Sequence, residues 1–202
     1  MTLARSTARC RTAIAIVQFA IALAGCSRDS RITPAGDADL SVDLIGATVT
    51  PPRDTAWALV RSDKAGLIFE RREGPSVARI SARTFQIDSV AGDSAFFAFA
   101  EARRQQELRA LQMVSLHLDH KRFKGAACLR YDGIFRDTLN LAQDRAFLVT
   151  MGYICQHPGN AHEALHLDLS QLSASKSLSG RAEDAAEALF DSARFTEHGL
   201  TP

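Results

Sequence analysis

Between Val42 and Ile87 the apolar residues arrive in short runs, and each run is closed by residues that turn the backbone. The runs are Val42 to Val49, Ala56 to Arg61, Gly66 to Arg71, Val77 to Ser81 and Thr84 to Ile87, punctuated by Pro51-Pro52, Asp63, Gly74-Pro75 and Gly92-Asp93. Segments of that length bounded by Gly, Pro and Asp are strand and hairpin signals.

The pattern changes at Asp93, a candidate N-cap, beyond which Ser94 to Met113 contain neither Gly nor Pro. Phe97, Ala100, Leu108 and Leu111 recur there at helical spacing, with Arg103, Arg104, Gln105 and Glu107 mostly elsewhere, so an amphipathic helix is expected. Phe96, Phe97 and Phe99 read as core packing, with a lipid-binding face as the alternative. Farther on, Ala126 to Tyr131 and Ala146 to Cys155 read as strands, and Arg181 to Ala193 as a last helix. Glu183 and Asp184 in its first turn suit the helix dipole, and Ala182, Ala185, Ala186, Leu189 and Phe190 form one face. The order, strands then helix then strands then helix, predicts an α+β domain: an antiparallel sheet with two main helices packed on one side.

The 202 residues are 46% hydrophobic and 23% charged, which suits one globular domain and excludes a disordered chain. Lys and Arg number 24 against 23 Asp and Glu, a net charge of +1. Nucleic acid is not an expected partner, because such recognition needs a basic excess.

The first residues form an address. Arg5, Arg9 and Arg11 precede a nearly unbroken apolar stretch from Thr12 to Ala24, a basic region followed by a hydrophobic one. As a helix, Thr12 to Gly25 would rise about 21 Å, short of the roughly 30 Å hydrocarbon core, so a permanent transmembrane anchor is disfavoured. The stretch ends in Leu23-Ala24-Gly25-Cys26, which resembles the lipobox of bacterial lipoproteins. That resemblance implies cleavage before Cys26 and lipidation of its thiol, and two or three acyl chains anchor firmly where one does not. Ser27 after the cysteine implies the outer membrane. The expected organisation is a signal peptide at 1–25, a flexible tether at 26–39 and a single domain at 40–202. Cleavage removes three Arg and no acid, leaving 21 basic against 23 acidic side chains.

Of the four cysteines, Cys10 leaves with the signal and Cys26 would carry lipid, so Cys128 and Cys155 remain as a pair. In an oxidising periplasm they are expected to form a disulfide, with two buried thiols as the alternative. Neither belongs to a Cys-x-x-Cys motif, so a thioredoxin-like role is not indicated.

One segment looks catalytic. His162-Glu163-Ala164-Leu165-His166 matches His-Glu-x-x-His, which on a helix places both histidines on one face for Zn²⁺ and leaves the glutamate as base. Asn160 would cap such a helix, with Glu163 at the third position. Against it, Asp168 stands where the zinc peptidases resembled carry a hydrophobic residue, and Leu169 and Leu172 replace the glycine and third histidine of the longer motif. Glu183 and Glu187 lie in no recognisable extension of it. Leu165 to Ser170 also alternate with period two, which suits a half-buried strand, where the histidines would lie about 13 Å apart. The metal reading, with zinc as cofactor, is therefore the alternative and no cofactor the expectation. His117 and His120 beside Lys121, Arg122 and Lys124 read as a solvated basic loop, with a metal or anion patch as the alternative. No Gly-x-Ser-x-Gly elbow, phosphate-binding Gly loop or dinucleotide fingerprint occurs.

Cys128-Leu-Arg-Tyr131-Asp132, Gly152-Tyr153-Ile-Cys155-Gln-His157-Pro158, Ser170-Gln171 and Phe190-Asp-Ser192-Ala-Arg194-Phe195 together are similar to a group of small proteobacterial lipoproteins of no established activity. The likeness covers roughly the C-terminal third. It implies a strand at Ala164 to Gln171 and a structural turn at His157-Pro158. The functional expectation is a lipid-anchored envelope protein with a binding or accessory role, with a periplasmic zinc peptidase as the alternative.

Overall fold

A computed structural model describes residues 41–88, 90–136 and 146–197. The segments read as signal peptide and tether, and Cys26 with them, lie outside the described residues. Short strands β1 (Val42–Leu44) and β2 (Ala47–Val49) are followed by β3 (Ala58–Asp63), β4 (Gly66–Glu73) and β5 (Ser76–Gln86). Helix α1 (Asp93–Leu108) leads into β6 (Gln112–Phe123), β7 (Ala126–Arg136), β8 (Phe147–His157) and β9 (Asn160–Ser173), then α2 (Gly180–Ser192) and β10 (Arg194–Phe195).

Seven strands form one antiparallel sheet in the order β3-β4-β5-β9-β8-β7-β6, and β1-β2-β10 form a small second sheet. Two meanders, β3 to β5 and β6 to β9, are joined where β5 pairs with β9. The expected antiparallel sheet with two helices is present, but the helices do not share a face. Leu165, Leu167 and Leu169 of β9 pack with Ala182, Ala186, Leu189 and Phe190 of α2, beneath Ala47 and Val49 of the small sheet. Ala164 of the same strand packs with Phe96 and Ala100 of α1 and with Leu129, Tyr131 and Ile154. Successive strand residues point to opposite sides, so α1 covers one face and α2 the other. A sheet with apolar side chains on both faces needs a cover on each.

Other departures from the sequence reading have local causes. Val42 to Val49 is a hairpin rather than one strand, turning through Ile45-Gly46 with Gly46 at φ 73°. The two runs Val77 to Ser81 and Thr84 to Ile87 belong to one long strand, β5. The helix starts at Asp93, with Gly92 rather than Asp93 in the cap position, and ends at Leu108 because β6 begins at Gln112. The basic segment around His117 and His120 is not a loop: it is the edge strand β6, turning into β7 through Lys124 and Gly125, both at positive φ. That is the backbone a tight two-residue hairpin requires. Both outer strands, β3 and β6, carry a register shift, between Leu59 and Arg61 and between Met113 and Ser115, which interrupts edge pairing with other chains.

Cys128 and Cys155 face each other directly across β7 and β8, 4.1 Å apart at Cα, and form the expected disulfide. It is fully buried beside Phe123, Tyr153 and Phe195. Among the described residues no helix is long and apolar enough to cross a membrane.

Candidate functional site

Every fourth residue of α1 faces the sheet: Phe96, Ala100, Arg104 and Leu108 are its buried positions. An arginine therefore occupies a core position. Its guanidinium lies 3.9 Å from the centre of the Tyr131 ring, donates from Nη2 to Thr150 Oγ1 at 2.7 Å and stands 3.5 Å from Asp168 Oδ1. Glu107, one turn along the same helix, pairs with it at 3.3 Å. A buried cation needs such partners, because stripping its hydration without replacing it is costly.

These groups are neighbours because of strand register. Tyr131 lies opposite Gly152, Gly152 opposite Asp168, and His166 opposite Arg83, all on the α1 face. The Tyr131 hydroxyl donates to Asp168 Oδ1 at 2.6 Å, and Thr150 donates to the same oxygen at 3.0 Å. With its proton committed there, the Tyr131 oxygen accepts from His166 Nε2 at 2.8 Å. The Nε2–H tautomer leaves Nδ1 to accept from Arg83 Nη2 at 3.3 Å. One directed chain thus runs from Arg83 through His166 and Tyr131 to Asp168.

The protonation states agree with that chain. Burial pushes His166 down to about 3, so the ring is neutral at physiological pH. Burial and then the Asp168 charge raise the Tyr131 hydroxyl well above its ordinary value. Burial also works against ionised Asp168, but the Arg104 guanidinium and the Tyr131 hydrogen bond hold its carboxyl below the usual range.

At the Arg83 end the chain reaches solvent in a cleft of about 210 Å³, bounded by Arg61, Gly66, Ile68, Arg83, Phe85, Arg103 and His166. The floor is β3 to β5 with β9, and Arg103 of α1 forms a wall, its guanidinium 3.9 Å from the centre of the Phe85 ring.

The His-Glu-x-x-His residues do not come together as a zinc peptidase requires. Residues 160–173 form β9, so the helix the motif needs is not formed, and Asn160 opens that strand rather than capping a helix. The Asn160 side chain instead accepts from the His162 amide at 3.0 Å. His162 is exposed, His166 is buried with both ring nitrogens engaged, and Glu163 lies on the alternate parity of the strand, paired with Gln86. Among the described residues no group of three His, Cys, Asp or Glu is placed to hold a metal ion.

The basic residues of β6 are likewise dispersed. His120 sits 2.6 Å from Glu101 and stacks on Phe97, Lys121 pairs with Asp119, and Arg122 pairs with Asp93. Arg83, Arg103 and Arg104 carried no functional reading in the sequence. One signal for Arg104 was available, its place in the Phe96, Ala100, Leu108 line. Asp168, out of place for a peptidase, is the carboxylate on which the buried cluster closes.

No protein-family model and no curated protein matches the chain. Eighteen solved chains do resemble it in structure. One is a crystal structure from Bacteroides thetaiotaomicron VPI-5482, 12% identical with a TM-score of 0.42, the match covering 83% of this chain and 48% of that one. This chain therefore spans about half the length of that neighbour, and a likeness so distant transfers no residue role.

Proposed function

We propose that this chain is a bacterial envelope lipoprotein, anchored through lipid on Cys26 in the outer membrane and facing the periplasm, whose domain binds a ligand or partner rather than catalysing a reaction. The anchoring half rests on Leu23-Ala24-Gly25-Cys26 behind a basic and apolar leader. The Cys128–Cys155 disulfide suits the oxidising compartment beyond the inner membrane.

The observation that carries the binding half is the cleft at Arg83. Its wall and floor combine guanidinium groups with Phe85 and Ile68, the mixture of few charged groups and apolar surface that holds small solutes. The imidazole reaching it, His166, is neutral and engaged on both nitrogens, which suits a positioning group better than a proton carrier.

Mass spectrometry of the full chain expressed in a Gram-negative host tests the anchoring half. The expected result is an N-terminal peptide beginning at diacylated Cys26, and loss of membrane association in Cys26→Ala. An intact N-terminus with an unmodified Cys26 overturns it.

A further inference from the structure

We propose that the cleft bounded by Arg61, Arg83 and Arg103 is a binding site for a small organic oxyanion, a phosphate or carboxylate group joined to a short apolar portion. This deepens the binding reading above and does not depend on lipid attachment.

Arg83 carries the argument. Among the described residues no carboxylate lies within 4 Å of its guanidinium, whereas Arg61 pairs with Asp63 at 2.6 Å and Arg103 with Glu107 at 3.3 Å. Among the described residues its one polar side-chain contact is the neutral His166, which accepts a single N–H and holds the guanidinium at the cleft. A guanidinium has five N–H donors, so the others remain for a ligand. Planar forks of this kind bind phosphate and carboxylate through paired hydrogen bonds.

The sheet leaves room for this. Gly66 lies directly opposite Arg83, and a Cβ there would stand 2.8 Å from Arg83 Cγ. A glycine at that point lets the arginine lie across the neighbouring strand instead of standing away from it. Beside it, Ile68 and Phe85 provide apolar surface, and Arg103 is held over the Phe85 ring. The Arg103 side chain lines the cleft opposite Arg83 while its Nε stays close to Glu107, at 3.3 Å. The volume of about 210 Å³ is below the roughly 300–1,000 Å³ typical of pockets for drug-sized ligands, which limits the occupant to a small solute or a single head group.

The buried cluster explains why the cation is held in place without being neutralised. Asp168, the carboxylate at the far end of that hydrogen-bonded chain, is occupied by Arg104, Tyr131 and Thr150, so it acts on Arg83 only through space and makes no contact ion pair with it.

The test is titration of the full chain in detergent, at constant ionic strength, followed by calorimetry and by amide shifts of Gly66 and Thr84. The probes are phenyl phosphate, benzoate and soluble dihexanoyl phosphatidic acid, with benzyl alcohol as the neutral control. Saturable binding of at least one anion, absent for benzyl alcohol and weakened about tenfold or more in Arg83→Met, is expected. Tighter binding of the phosphatidic acid than of phenyl phosphate would identify a lipid head group as the source, and the reverse order a free solute. Arg61→Gln, at an exposed position, provides a second variant should Arg83→Met misfold; it too should weaken anion binding. No saturable response to any anion, or equal affinity in folded variants, overturns the site. Either failure leaves the Cys26 peptide mass unchanged, so it is distinguishable from failure of the anchoring reading.

Discussion

Gly152 lies directly across from Tyr131 on the neighbouring strand, and a methyl group placed on it would come within 2.5 Å of the Tyr131 hydroxyl and overlap the Leu167 carbonyl oxygen. The glycine is the hollow into which the tyrosine leans to reach His166 and Asp168. The buried cluster therefore depends on a residue that contributes no side chain.

Gly152→Ala should destabilise the fold by roughly 3 kcal/mol or more, since a backbone carbonyl cannot step aside as a flexible side chain can. Urea unfolding measures it. A change below about 1 kcal/mol would mean that Tyr131 has another place to lie.

Arg104→Met removes the buried cation that partners the largely enclosed Asp168 and should cost about 3–5 kcal/mol. Adding Asp168→Asn removes the stranded charge, so the double variant should be more stable than the sum of the single effects implies. Simple additivity in this cycle would show that the two groups do not depend on each other.

Stability should fall as the medium is acidified below the ordinary histidine range. Unfolded His166 takes up a proton near pH 6.5, whereas the folded ring resists until about 3, so the unfolded state gains protons first. The contribution of neutral His166 is complete above pH 6.5 and is lost at up to about 1.4 kcal/mol per pH unit on the way down. Asp168, held below its ordinary value, adds a further loss only at more acidic pH, as the unfolded carboxyl begins to protonate. Denaturation midpoints between pH 7 and pH 5 should show the histidine slope in the wild-type chain and lose it in His166→Gln.

Reduction of Cys128–Cys155 should lower stability by roughly 3.5 kcal/mol in the chain-entropy description. Thiol labelling of the denatured, unreduced protein should find neither cysteine reactive. Labelling of both would remove the cross-link from the account.

His162→Ala should alter stability by less than about 0.5 kcal/mol, because the side chain is exposed, whereas His166→Ala breaks the chain from Arg83 to Tyr131. Elemental analysis separates this from the metal reading: one zinc per chain lost equally in both variants would restore the peptidase alternative.

Local chemistry made several features readable from residue order alone. The breakers between Val42 and Ile87 marked strands, the acidic first turn and apolar face of Arg181 to Ala193 marked α2, and the even cysteine pair gave a disulfide that the register of β7 and β8 makes geometrically direct. Period two at Leu165 to Ser170 was the correct signal for β9, stronger than the His-Glu-x-x-His match it overlaps. Helix against strand is settled by periodicity within one segment, and a motif has chemical meaning only in the element that forms.

Tertiary structure alone decided the rest. Whether α1 and α2 share a face depends on which side of β9 each meets, and alternation along a strand names two faces without saying what covers them. Arg104 looked like a surface residue because its burial is compensated by Asp168, 64 residues away in sequence, and by Thr150 on another strand. The cleft likewise joins Arg61, Arg83, Arg103 and His166 through the pairing of β3 to β5 with β9 and the placement of α1. Hydrophobic pattern and turn chemistry act over a few residues and can be read in order. Register and the pairing of buried charges act between segments distant in sequence, and only the folded chain brings those together.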